Sequence, residues 1–230
     1  MTRYVVANWK SHKTIAEAKI WLNAFSGLYL PDPSVEVILA PSFVHLPTLA
    51  QLLQANNPTR LTLATQDLSP FPLGAYTGAV AAEMVRDMVG YAIVGHTERR
   101  RYFHETNQDI ANKASEAAAA QIKPILCVDR PYAHAQLAAL NEADTGKLLI
   151  GYGPVEAIGI AVAQAPEKAA SAIREIQAIM PDNPILYGGS INASNAATYM
   201  KLEGVQGLMV GTASLEAEEF ARICTSVSKV

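Results

Sequence analysis

Cysteine is nearly absent from this chain. Cys127 and Cys224 are the only two in 230 residues, and they lack the paired spacing of a disulfide framework or a zinc cluster. A reducing compartment and two core thiols are the expectation. An excess of positive charge is missing as well. The formal net charge is -3, the pI is near 6.0, and lysine and arginine are scattered apart from the run Glu98-Arg99-Arg100-Arg101, so no basic field attracts a nucleic-acid backbone. No apolar run approaches the roughly 18 residues needed to cross a bilayer. The opening MTRYVVANWK lacks the basic start, long apolar middle and cleavage site of a signal peptide. A soluble, cytoplasmic protein with neither nucleic-acid nor membrane partners is therefore expected.

Apolar residues, by contrast, are plentiful, at 50% of the chain, enough for one sizeable core. They fall into eight short runs: residues 3–8, 35–40, 61–66, 91–95, 123–128, 147–152, 183–189 and 205–211. The runs are near-continuously apolar rather than alternating, which marks strands covered on both faces, as in a parallel sheet. Helical segments lie between them. Thr14 with Glu17 forms a capping box, and Pro166 opens another helix at a favoured first-turn position. No linker or low-complexity tract divides the chain. The pattern predicts one domain over 1–230, a single (β/α)8 barrel of the TIM type, with an open doubly wound sheet as the alternative. The longest stretch without helix signals, 66–80, is read as a functional loop.

In such barrels the active site lies at the C-terminal ends of the strands. Those ends carry Asn8-Trp9-Lys10, Gly95-His96-Thr97-Glu98-Arg99, Gly188-Gly189-Ser190 and Gly211-Thr212-Ala213-Ser214. The two glycine turns can present backbone N–H groups to an anion, the second leading into a helix near Ser214. Each turn alone reads equally well as tight strand-to-helix packing. Lys10 alone reads as a surface ammonium, and His96 alone as a packed histidine satisfied by a carbonyl. Together they form an electrophilic pair for a developing oxyanion, with His96 at a helix start that favours its neutral form.

At these residues the chain resembles the triosephosphate isomerase family. The segments ANWK, GAYTG, VGHTERR, AIG, YGGS and VGTASL match that family's motifs, in order, along nearly the whole chain. The resemblance implies interconversion of dihydroxyacetone phosphate and D-glyceraldehyde 3-phosphate without a metal or organic cofactor. It implies Lys10 and a neutral His96 as electrophiles, in the pattern established for that family. Asn8 is then the residue beside the substrate oxygen and Glu98 the carboxylate near the lysine. Gly159, Ser190, Gly211 and Thr212 become the phosphate cradle, Arg99 a structural support, and Thr77 a residue reaching into the partner of a homodimer.

The departures are as specific as the matches. The family's sixth strand ends Ala-Tyr-Glu-Pro-Val-Trp, whereas Gly151-Tyr152-Gly153-Pro154-Val155-Glu156 stands here, so Gly153 occupies the position of the base. Glu156 is a candidate substitute. A displacement of three residues, at roughly 3.3 Å per residue when extended, makes a role in the hinge of the loop the better reading. Cys127-Val128-Asp129-Arg130 replaces Cys-x-Gly-Glu, Ala79 replaces a common glutamate, and Ile160-Ala161 replaces Thr-Gly. The expectation is a weakened isomerase. The alternatives are an inactive phosphate-ligand-binding homologue and an isomerase of another small sugar phosphate.

Overall fold

The fold is that of a computed structural model, which describes residues 2–140, 148–154 and 163–230. Eight strands, β1 (Arg3–Asn8), β2 (Val35–Ala40), β3 (Thr62–Thr65), β4 (Tyr91–Val94), β5 (Lys123–Val128), β6 (Leu149–Tyr152), β7 (Ile185–Tyr187) and β8 (Val205–Val210), form a closed barrel. Every pairing is parallel, and β1 closes on β8 through Tyr4↔Gly207 to Ala7↔Val210. The barrel reading holds and the open sheet is excluded. The helices described are α1 (Ile15–Leu28), α2 (Leu46–Ala55), α3 (Ala82–Val85), α4 (Thr97–Tyr102), α5 (Asn107–Ala119), α6 (Ala133–Ala138), α7 (Pro166–Ile179), α8 (Ala196–Met200) and α9 (Ala217–Ser228).

Alternation along each strand divides the core into two layers. Val6, Ile38, Ala64, Ile93, Ile125, Cys127, Leu149 and Leu186 fill the barrel interior. Val5, Leu39, Leu126, Val128, Ile150 and Tyr152 face outward under the helices. This explains why the runs read as continuously apolar: neither face is left for water. Each fully buried aliphatic side chain contributes roughly 1.5–3 kcal/mol. The same alternation, carried one step beyond the strand ends, aims the residues that follow into the mouth of the barrel.

The predicted start of α1 is present in full. Thr14 Oγ1 accepts from Glu17 N–H and a Glu17 carboxylate oxygen accepts from Thr14 N–H. Pro166 opens α7 as expected. Five strands, β3, β4, β6, β7 and β8, are shorter than their apolar runs. Gln66 and Asn183 leave the ladder because their side-chain amides bond distant carbonyls, of Lys10 and Ala40 and of Leu148 respectively. The helix expected near Ser214 starts later. Ser214 N–H and Oγ–H both donate to Gly211 O, holding a 3-10 turn over Thr212–Leu215 before α9 begins at Ala217.

Candidate active site

The first-strand loop is fixed from below. Trp9, fully buried, and Trp21 of α1 meet edge to face at 5.0 Å, and both indole N–H groups donate to Ser214 O, at 3.2 and 3.0 Å. The ends of β1 and β8 are thereby tied together. Next in the chain, Lys10 takes a left-handed backbone conformation, φ 54, which costs a residue with a Cβ of order 1 kcal/mol or more. Three contacts hold it there. Lys10 N–H donates to Asn8 Oδ1 at 3.0 Å, while Lys10 O accepts from Gln66 Nε2 at 2.8 Å and from Ser42 Oγ at 3.1 Å. Gln66 also donates to Ala40 O at 2.9 Å, so it joins the ends of the first three strands.

The ammonium of Lys10 is 2.6 Å from Glu98 Oε1, a half-exposed pair across the mouth. His96 caps α4: its Nδ1 accepts Glu98 N–H at 3.2 Å. That bond leaves the ring proton on Nε2, which makes His96 a neutral donor. Its Nδ1 is 3.6 Å from Glu98 Oε2, too far for a second hydrogen bond. The His96 pKa is lowered, first by burial and then by the charges of Lys10 and Arg99, against opposition from Glu98 and Asp129. The neutral form expected at a helix start is thus present, with burial as its main cause.

Lys10 and His96 line a cleft of about 460 Å³ at the C-terminal mouth, together with Asn8, Thr97, Gly153 and both glycine turns, including Ser190, Gly211 and Thr212. Lys10 also reaches the second turn: a Cβ on Gly211 would lie 3.6 Å from its Cε. On the floor, a Cβ on Gly151 would fall 2.5 Å from Met209 Sδ and 3.4 Å from Cys127 Sγ. The thioether therefore fills the volume that an alanine methyl would need. No Asp or Glu is among the described residues that line the cleft.

Support comes from a second ring of polar groups. Arg99 pairs with Asp67 at 2.8 Å and with Glu105, and Lys113, itself buried, reaches Asp67 at 2.7 Å and Glu105 at 2.5 Å. Arg100 donates to Gly95 O, Asn107 Oδ1 and Cys127 O. Cys127 is a buried thiol whose pKa is pushed up to about 12 by burial, and Cys224 is raised for the same reason. Both are core thiols, as expected.

The structure thus brings together Asn8, Lys10, His96, Glu98, Gly153, Ser190, Gly211 and Thr212. It does not bring Thr77, which is exposed on the 66–80 loop away from the cleft of its own chain. Glu156 and Gly159 lie outside the described residues. Gln66, Ser42 and Thr97 were not singled out by sequence reasoning. Their one signal was a polar residue at or just past the end of an apolar run.

The sequence model of the family described as triosephosphate isomerase matches residues 3–227. The chain belongs to the triosephosphate isomerase family. Among curated relatives, the triosephosphate isomerase of Thermus thermophilus is 38% identical over 96% of this chain and 97% of its own length. That of Aquifex aeolicus is 36% identical over 98% and 100%, and that of Mesomycoplasma hyorhinis 33% over 96% and 97%. Triosephosphate isomerase family membership thus spans the barrel from β1 to α9. Among the described residues no group of three His, Cys, Asp or Glu side chains is placed to hold a metal, and no helix is long and apolar enough to cross a membrane.

Proposed function

We propose that this chain interconverts dihydroxyacetone phosphate and D-glyceraldehyde 3-phosphate, slowly, because no carboxylate projects from position 153. The observation that carries the reading is the intact electrophilic half of the cleft, with Lys10 held in a strained conformation beside Glu98 and a neutral His96. A bound carbonyl oxygen there meets an ammonium and an imidazole N–H as it gains negative charge. The turns at Gly188-Gly189-Ser190 and Gly211-Thr212 take the phosphate, and the resemblance assigns Gly159, outside the described residues, to the same role. Homodimerisation through the 66–80 loop, with Thr77 reaching the partner's site, belongs to the same reading. It is supported by exposed Leu73 and Tyr76 on that loop. We further propose one domain over 1–230, working in the cytoplasm.

Turnover of D-glyceraldehyde 3-phosphate by the protein, Gly153→Glu and Lys10→Ala tests this. General-base catalysis is typically worth about 10²- to 10⁴-fold, so Gly153→Glu should raise a slow parental rate by about that factor, and Lys10→Ala should abolish it. A parent and a glutamate variant that both fail to turn over the triose would remove it from consideration. The absence of a carboxylate among the described lining residues favours one competing reading, a phosphate-ester binding homologue without chemistry. Tight binding of glycerol 3-phosphate with no solvent-proton exchange into dihydroxyacetone phosphate would establish it.

A further inference from the structure

The ladder between β5 and β6 ends with Val128 opposite Tyr152. The next residues on the two strands are Asp129 and Gly153, and Gly153 N–H still reaches Val128 O at 3.5 Å. Asp129 keeps an extended backbone, φ -110 and ψ 133, so the alternation of β5 continues through it. Ile125 and Cys127 point into the barrel while Leu126 and Val128 point out. Asp129 is the next inward position, as Gly153 is after Leu149 and Gly151. The two stand one strand spacing apart, about 4.8 Å between backbones. A carboxylate on β5 thus neighbours the position on β6 from which one is missing. The two departures from the family's pattern, glycine for glutamate at 153 and aspartate for glycine at 129, exchange the charge between adjacent strands.

Asp129 is also poised chemically. Its Oδ1 accepts from Thr97 Oγ1 at 2.7 Å, and Thr97 lines the cleft next to His96. Its N–H donates to Gln136 Oε1 at 2.9 Å and its carbonyl accepts from Tyr132 N–H at 3.0 Å, so the backbone is fixed on both sides. The charge of Asp129 is felt at His96. It is buried at 6% exposure, behind Thr97. Asp129 is not itself among the residues that line the cleft; Thr97, which donates to it, and Gly153, which carries no side chain, both are.

We infer that Asp129 is the base of this protein, taking over from β5 the proton transfer that position 153 cannot perform. In the reaction its carboxylate, released from Thr97 by rotation about χ1, accepts the proton from the carbon next to the substrate carbonyl. The C–H electron pair becomes the carbon–carbon double bond of an enediolate, and the carbonyl electron pair moves to the oxygen facing Lys10 and His96. The hydroxyl proton passes from one enediolate oxygen to the other through His96, and the protonated Asp129 returns its proton to the former carbonyl carbon, so nothing is consumed. Substrate class and electrophiles rest on the function proposed above; the identity of the base is new.

The test is solvent deuterium exchange into dihydroxyacetone phosphate, with aldehyde turnover, for the parent, Asp129→Asn, Gly153→Glu and the double variant. Asparagine keeps an oxygen for the Thr97 hydroxyl. The expected result is Lys10-dependent exchange in the parent, reduced about 10²- to 10⁴-fold by Asp129→Asn with glycerol 3-phosphate affinity retained. In the Gly153→Glu background the same change should cost far less, because the glutamate carries the proton. A purely structural Asp129 would lower both backgrounds alike, and that result overturns the inference. So does an Asp129→Asn variant as fast as the parent, which leaves the isomerase reading standing, or a parent inert while Gly153→Glu works, which leaves the triose site standing but not the activity of the parent. If neither the parent nor Gly153→Glu turns over, the isomerase reading itself fails and takes the base with it. Should Asp129→Asn fail to fold, Asp129→Glu keeps the test: a longer carboxylate at the same place must alter the rate while retaining exchange, and loss of all exchange in a folded Asp129→Glu protein counts against the base.

Discussion

The two sides of the barrel mouth are held in different ways. On the side of β1 and β4, each functional group stands on its own buttress. Lys10 is strained and triply held, His96 is fixed by a cap, and Arg99 and Arg100 anchor the segment beneath. On the side of β5, β6 and β8, the residues that shape the cleft are Gly151, Gly153 and Met209, with Asp129 beside Gly153 on the neighbouring strand. Their fit to one another is local: Met209 fills the space of a methyl at 151, and Asp129 flanks the empty position at 153. A strained residue keeps its conformation only while its surroundings over-determine it. Three contacts therefore over-determine Lys10 in the half proposed as electrophilic, the preserved half by its resemblance to the family, while Asp129 and Gly153 make the half proposed for the base the rewritten one.

The comparison breaks most readily at Lys10. Lys10→Ala removes the cation from the cleft and leaves Glu98 without its partner at 2.6 Å. Loss of one oxyanion donor typically costs about 10²- to 10³-fold in rate. Turnover of D-glyceraldehyde 3-phosphate should fall by at least that factor while the urea unfolding midpoint changes little, the pair being half-exposed. A variant that keeps the parental rate would show that the preserved half performs no chemistry.

Gln66→Leu tests the buttress rather than the group. It deletes both amide donations, to Lys10 O and Ala40 O. At about 0.5–1.5 kcal/mol for each hydrogen bond, and more where a carbonyl is left unpaired, the expected loss is about 1–3 kcal/mol. Urea unfolding would measure it. The rate should fall too, since Ser42 alone then holds the Lys10 carbonyl. Unchanged stability would mean that Lys10 needs no support to remain at positive φ.

Gln66 also shows where sequence reading stops. The strands β1, β2 and β5 were legible to the residue, because both faces are buried and nearly every interior position is apolar. Lys10, His96 and the glycine turns were legible because they fall at strand ends in matching motifs. The supports were not. Gln66 meets Lys10 across 56 positions, Thr97 meets Asp129 across 32, and the tryptophan pair meets Ser214 across about two hundred. Such distances are set by barrel closure, which no local pattern encodes. Asp129 was visible as a departure but not as a neighbour of Gly153, a relation that only the β5–β6 register supplies.

A smaller effect probes the rewritten half. Gly151→Ala drives a methyl to within 2.5 Å of Met209 Sδ. The thioether end is flexible, so the cost should lie near the low end of overpacking, about 1 kcal/mol. Met209→Ala opens that space. In the double-mutant cycle the two changes should couple favourably by about 1 kcal/mol. Additive effects would show that the glycine and the methionine do not depend on one another.

The smallest effect concerns His96 and returns to the preserved half. Its folded pKa is depressed below the ordinary value of 6.5 by burial, then by Lys10 and Arg99. Between that depressed value and 6.5 the unfolded chain binds a proton at this position that the native state refuses, so stability rises with pH across the interval. The contribution is complete above the unfolded pKa, is lost as pH falls through the interval, and is constant below the folded pKa. Urea unfolding between about pH 7.5 and about pH 5 should show a stability slope in the parent that is shallower in His96→Gln. An identical slope in the two proteins would mean that His96 takes up its proton as readily in the folded cleft as in the unfolded chain. The neutral donor that the preserved half supplies to a carbonyl would then not survive below neutral pH.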